Sequence, residues 1–259
     1  GGPARWIGSG RTVLNNKGNP VKQYEPYFST TFEYEDEDAI VATGVTPIIT
    51  YDGLGRVRRT DLPNGTFSRT ERTAWQETAY DPNDTIDEPG NLYKAARLPA
   101  AIPTPSTEEQ RALTLTQAHA NTPTVTHVDV MGRPFLVIAH NKLGAVSQFL
   151  ETRTKLDIES QPLEVKDPLL RTCQTNVYSM AGSLIKETNI DKGSRWTLRD
   201  AAGAMAHRRD DRTQHFRATY DALRRSTHLY MQVGAGPEKL LQRRLYGDDA
   251  GITTPETNN

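Results

Sequence analysis

Three aspartates, Asp81, Asp84 and Asp87, lie close together in an oxygen-rich stretch. Such a cluster suits a hard cation, but the stretch has neither the Gly nor the closing Glu of a calcium loop. The acidic run Glu33-Tyr34-Glu35-Asp36-Glu37-Asp38 lacks that pattern too and reads as a solvated turn between strands. Six histidines, His119, His127, His140, His207, His215 and His228, include no His-x-x-x-His or His-Glu-x-x-His set, which argues against a zinc enzyme. Cys173 is the single cysteine, so no internal disulfide and no paired-thiolate metal site can form. It reads as a buried or strand-facing thiol. No nucleophile elbow, phosphate-binding loop or dinucleotide fingerprint is present. Arg208-Arg209, Arg224-Arg225 and Arg243-Arg244 are isolated pairs that fit turn flanks better than phosphate readers. The reading is therefore a non-enzyme with no catalytic residue, no cofactor and no metal.

Asp52 and Asp129 are the carboxylates that most invite a catalytic role, and their surroundings argue against it. Each sits in a recurring pattern: an aromatic or apolar residue, Asp, two variable residues, Gly, then Arg. The pattern is clearest at Tyr51-Asp52-Gly53-Leu54-Gly55-Arg56 and at Val128-Asp129-Val130-Met131-Gly132-Arg133. Weaker copies surround Asp157, Tyr178 with Gly182, Asp200 with Gly203, and Tyr220 with Asp221. In the second half the marker falls at 160, 182, 203 and 224, a period of about 21. A catalyst needs one site, whereas a turn residue is needed at every turn. Intermediate turn signals stand at Asn64-Gly65, at Asp191-Lys192-Gly193 and at Asp210-Asp211-Arg212. Turns every ten or eleven residues leave strands of about five to seven residues.

The motif has a physical reading. Asp bonds its side chain to backbone amides two residues on, closing an Asx-type turn. Gly supplies the positive φ of a hairpin turn. Tyr ends one strand and Arg begins the next. Between turns, Phe216, Ala218 and Tyr220 share one face, with Arg217 and Thr219 on the other. Thr227, Leu229, Met231 and Val233 alternate with His228, Tyr230 and Gln232 in the same way. Ser160 and Arg224 replace Gly, and Ser179 replaces Asp, so these copies are expected to turn differently.

Composition bounds the layers. The chain has 259 residues, with 31 basic and 32 acidic. A net charge of −1 gives no field favouring nucleic acid or an anionic membrane. No stretch reaches the roughly 20 apolar residues of a membrane helix, and no signal peptide is visible. The apolar share, roughly 39 % with Gly included, is below the usual 45–50 % of globular domains. Mean hydropathy is −0.65. A thin sheet wetted on at least one face fits better than a thick core.

The signature and its spacing resemble the Rhs or YD-repeat proteins. The resemblance is tightest at Arg11-Thr12-Val13-Leu14-Asn15-Asn16-Lys17-Gly18-Asn19-Pro20 and on to Ser29, at Tyr80-Asp81-Pro82-Asn83-Asp84-Thr85, and at His119-Ala120-Asn121-Thr122-Pro123-Thr124. These look like the YD-repeat half of the B component of bacterial insecticidal toxin complexes. The resemblance implies a hollow shell that, completed by a C component, encloses a toxic C-terminal segment. It implies an A component as injector, docked through neighbouring domains, and a secreted or cell-surface location. A cell-surface adhesion or carbohydrate-binding module is the alternative, with Tyr24, Tyr27, Phe28 and Trp75 as a contact patch.

The expected fold is all-β: antiparallel hairpins in a curved single-layer strip. Residues 1–80 and 124–259 are repeat segments, and both ends read as cuts through a longer protein. Residues 81–123 form an inserted loop that plugs or decorates the wall. Ser106 and Glu109 make a capping box for a short helix ending near Ala120, with Ala112 and Leu113 available to rest on the sheet.

Overall fold

A computed structural model describes residues 6–36 and 45–247. Glu37 and Asp38, the end of the acidic run, lie outside them. The chain divides into two compact units at Glu151/Thr152.

In the first unit, β1 (Trp6–Gly8) pairs with β4 (Tyr27–Ser29) as a separate two-stranded piece. The main sheet takes β2 (Thr12–Leu14), β3 (Pro20–Gln23), β5 (Ile48–Tyr51), β6 (Val57–Asp61), β7 (Phe67–Arg72), β8 (Gln76–Tyr80), β9 (Thr124–Val128) and β10 (Pro134–Leu143). Each is antiparallel to the one before it. A turn at Gly144 leads into β11 (Val146–Leu156), which runs through the division between the units. The second unit continues with β12 (Pro162–Lys166), β13 (Thr172–Tyr178), β14 (Leu184–Asn189), β15 (Gly193–Arg199), β16 (Met205–Asp210), β17 (Gln214–Tyr220), β18 (Ser226–Val233) and β19 (Lys239–Arg243). Again every strand pairs antiparallel with its chain neighbour.

Burial shows how thin the sheet is. Among the described residues of the second unit, no apolar side chain is buried, and Asn176 is the one buried residue. No second layer covers the sheet there. Cohesion comes instead from backbone ladders and from arginines laid on aromatic rings of the facing strand. Arg208 lies 4.3 Å from the Phe216 ring centre, Arg217 4.3 Å from Tyr230, and Arg209 4.6 Å from Trp196. Each is a directly opposed cross-strand pair. Such contacts contribute about 0.5–1 kcal/mol each at exposed sites. The arginine stem covers apolar ring while its head stays wet. A low apolar fraction is thus compatible with an ordered sheet.

Between β8 and β9 the chain builds two helices, α1 (Leu92–Ala95) and α2 (Thr107–Gln117). The second is the expected one. Ser106 Oγ accepts from Glu109 N–H, and the Glu109 carboxylate accepts from Ser106 N–H, closing both halves of the box. The short α1 was not foreseen. Its cap is Asn91, whose side chain accepts from Lys94 N–H at 2.9 Å. Leu113 is buried, but against Ile86 and Ala120 with Tyr93 alongside, so it packs inside the insertion.

Candidate functional site

The repeated chemistry of this chain lies along the edge where its turns stand, and each turn is built the same way. At Asp52 the residue's own N–H donates to the Arg56 carbonyl at 2.9 Å, and Gly55 N–H returns to the Asp52 carbonyl at 3.0 Å. One carboxylate oxygen accepts from Leu54 N–H at 2.9 Å and Arg56 N–H at 3.0 Å. The other accepts from Arg56 Nε at 2.8 Å. This is a type I turn closed by a left-handed residue, and the pairing slips by one residue at Tyr51 just before it. Asp129 repeats every contact with Met131, Gly132 and Arg133. Asp157 keeps the backbone amide bonds with Glu159 and Gln161, and Asp200 those with Ala202 and Ala204, but neither has an Arg four residues on. Asp221 accepts from Arg225 N–H at 2.8 Å and Arg225 Nε at 2.7 Å.

The copies without Gly do not turn differently. Ser160 and Arg224 adopt φ of 71° and 67°, beside 78° at Gly55, 75° at Gly132 and 82° at Gly203. The paired amide bonds to Asp157 and Asp221 hold the left-handed residue in place against its steric preference. Ser179 also keeps the turn: its hydroxyl accepts from Ser183 N–H at 3.1 Å, and Gly182 holds φ 77°.

The intermediate turns sit on the opposite ends of the strands. Leu62 takes the Asp position, and Asn64 supplies the carbonyl oxygen for Thr66 N–H at 3.0 Å. Gly65 (φ 86°) packs so tightly on the first turn of α1 that a Cβ there would stand 2.8 Å from Tyr93 N. Gly193 (φ 69°) lies beneath Asp211, whose carboxylate accepts from Ser194 N–H.

Two features escaped the sequence reading. A complete turn stands at Asp167-Pro168-Leu169-Leu170-Arg171, with Leu170 at φ 62° and Arg171 Nε 2.7 Å from the Asp167 carboxylate. The missing Gly hid it, although Asp followed by Arg four residues on was the available signal. The second is the role of the tyrosine. Tyr178 Oη donates to the Pro162 carbonyl at 3.2 Å, Tyr220 to Met205 at 2.8 Å and Tyr246 to Ser226 at 2.9 Å. In the first unit Tyr51 donates to Pro20 at 2.5 Å. Each acceptor is the residue that follows the preceding turn of the same edge. The tyrosine therefore hooks one turn to the last, and Arg224 adds an ion pair back to Asp200.

Electrostatics follow from these bonds. Arg56 N–H, chiefly, holds the Asp52 carboxyl below the usual carboxylate range. The Arg133 and Arg171 guanidinium groups, first among several donors, do the same for Asp129 and Asp167. At Asp200 and Asp221 partial desolvation pushes upward, but the Arg and amide donors outweigh it and the net shift is downward. Carboxylates held ionised and saturated with donors are poor general acids or bases.

The clustered aspartates of the insertion are committed separately. Asp81 accepts from Asn83 N–H and Asp84 N–H. Asp84 accepts from Asp81 N–H and from Thr122. Asp87 pairs with Lys94 and Gln117. Among the described residues no group of three or more His, Cys, Asp or Glu gathers around a common point. Cys173 is half-buried, with its thiol 3.3 Å from the Val165 carbonyl. Tyr24 is buried, while Phe28 and Trp75 are exposed. No described helix is long and apolar enough to cross a membrane.

No protein-family model matches the chain, and no curated protein matches it by sequence. Solved structures do. The chain is similar to the crystal structure of TcdB2-TccC3, at 22 % identity and a TM-score of 0.71. It is likewise similar to the Photorhabdus luminescens Tc holotoxin pore carrying the TccC3 substitution D651A, at 23 % identity and a TM-score of 0.73. Both matches cover 93 % of this chain but 11 % of the other, so the chain spans about a tenth of the structures it matches. The hairpin array of turn, strand and turn described above is thus the fold of a stretch of the Tc toxin TcdB2-TccC3 chains, in accord with the YD-repeat resemblance.

Proposed function

We propose that this chain is a structural wall segment of an Rhs-type shell that encloses a toxic C-terminal cargo in a bacterial insecticidal toxin complex. The observation that carries the reading is the edge ladder, in which Tyr178, Tyr220 and Tyr246 bond back to the previous turn. Such a ladder adds cohesion per repeat without a thick core, and a wall needs that property. Absence of a covering layer in the second unit also leaves two faces carrying charged and polar groups. A polar face can border water and a poorly folded cargo without offering it a sticky surface. Partners on this reading are the rest of its own shell, a cargo-bearing C component and an injecting A component. Residues 1–80 and 124–259 serve as wall and 81–123 as decoration. The adhesion alternative loses support because Tyr24, one of its four contact aromatics, is buried.

The test is protease protection of the full-length protein assembled with its cargo-bearing partner. The enclosed segment should survive protease for at least tenfold longer in the assembly than after denaturation and dilution. Digestion of the segment at equal rates in both states overturns the reading.

A further inference from the structure

The even charge of the whole chain conceals a segregation. The described residues of the second unit, 152–247, carry 17 Lys and Arg against 11 Asp and Glu, a net of +6. Its acids stand mainly at turns, where Asp157, Asp167, Asp200, Asp210 and Asp221 accept from backbone amides. Its cations stand mainly on strands, with their heads toward water.

Strand register lays one row across five strands: Lys186 on β14, Trp196 on β15, Arg209 on β16, His215 on β17 and Gln232 on β18. Directly opposed residues share a face, so the row is continuous, and it holds no carboxylate. Lys186 and Arg209 lie on the Trp196 ring, with Nζ 5.2 Å and Cζ 4.6 Å from its centre. Among the described residues neither makes an ion pair. The opposite face differs, since Arg195 there stands directly between Glu187 and Asp210. Carboxylates that border the row are already held. Glu164 accepts from Thr172 and pairs with Lys166, and Asp211 accepts from Ser194 N–H. Glu238 is held by Arg217, and its charge also reaches His207 and His215. Beside Arg209 opens a groove of about 620 Å³ lined by Trp196, His215 and Gln232, with Asp210 and Asp211 at its turn end.

We infer that this row is a docking surface for an acidic, extended polypeptide. Two cations without carboxylates on one wetted face attract negative charge. Lys186 and Arg209 are two strands apart, so their roots stand about 10 Å from each other. An extended chain repeats its same-side residues about every 7 Å, a difference that long Lys and Arg side chains absorb. Gln232, at the end of the row, offers an amide to the incoming backbone. A single-stranded nucleic acid fits less well, because its bases need bare rings to stack on. Here Trp196 already carries Lys186 and Arg209, and Tyr230 in the next row carries Arg217 and His228. Docking on this row is independent of cargo enclosure, and either can fail while the other holds.

The experiment titrates fluorescein-labelled octaglutamate with the full-length protein, free of its cargo-bearing partner, and reads anisotropy. Binding should be about tenfold weaker at ~500 mM than at ~50 mM salt. At low salt the Lys186→Gln/Arg209→Gln double variant should bind about tenfold more weakly, while Arg195→Gln on the other face binds like the wild type. Lys186→Gln alone, about threefold weaker, serves where the double variant does not fold. Absence of binding at low salt overturns the inference, as does wild-type affinity in a folded variant of the row. An equal loss in Arg195→Gln would reveal a diffuse field in place of a surface and overturns it too. Tighter binding of an oligothymidylate of equal length overturns the choice of a polypeptide.

Discussion

Asp84 and Thr122 lie 38 residues apart, and they hold the two ends of the insertion together. One Asp84 oxygen accepts from Thr122 N–H at 2.7 Å and from Thr122 Oγ1 at 2.8 Å. The other accepts from Asp81 N–H at 2.8 Å. Asp84 is 6 % exposed, so these donors have little water to turn to. Replacing Asp84 by Ala should destabilise the insertion by about 2–3 kcal/mol, and Thr122→Val by about 1–2 kcal/mol. Hydrogen exchange of residues 81–123 reads the loss directly. Unchanged protection in both variants would refute the clasp.

The tyrosine hook makes a separate prediction. Tyr220→Phe removes the bond to the Met205 carbonyl but keeps the ring. A loss of about 1 kcal/mol is expected in urea unfolding of the full-length protein. Tyr178→Phe should lose less, because its bond is longer and Asn176 also donates to the same carbonyl at 2.8 Å. No loss in Tyr220→Phe would mean that the hydroxyl matters little.

Leu170 invites a stabilising change. It holds φ 62° with its side chain 65 % exposed, so Gly would relieve strain and forfeit little packing. Leu170→Gly should raise stability by up to about 1 kcal/mol after the added chain entropy of Gly. Gly65→Ala is the opposite case. Its Cβ would meet Tyr93 N at 2.8 Å, so the variant should lose protection across α1. A neutral Gly65→Ala would show that α1 moves freely.

The lowered carboxyl groups of Asp52, Asp129, Asp167, Asp200 and Asp221 fix the sign of one pH effect. Each is more acidic folded than unfolded. Their contribution is present above the ordinary aspartate range, near pH 4, and is lost as pH falls further. Asp129→Asn removes one such group, so its stability should fall less between pH 4 and pH 2 than that of the wild type. Urea midpoints across that range measure the difference, and parallel curves would contradict the assignment.

How far these features were legible depended on where the information sits. The Asp and Gly of a turn are local, and so Asp52, Asp129 and Asp200 announced themselves by spacing. The capping box of Ser106 and Glu109 is local too. Leu170 was hidden because the left-handed position is held by bonds to Asp167, and those bonds tolerate a residue that propensity rejects. The tyrosine hook spans 15 to 31 residues, and a single sequence contains no sign of its acceptor, a backbone carbonyl. The same holds for Lys186, Trp196 and Arg209, which only strand register brings together. Leu113 was expected to seek the sheet, but Ile86 and Ala120 offered a nearer apolar surface.

The hook also bears on how such an array changes length. Tyr178, Tyr220 and Tyr246 each grip the residue just past the preceding turn, whereas the Asp200 turn follows Arg199 in place of a tyrosine. Excising one link of about 21 residues therefore brings together two turns of similar build, with or without a hook between them. Growth or shrinkage by whole links keeps the turn pattern, whereas adding or deleting a single residue within a strand flips the strand faces beyond it.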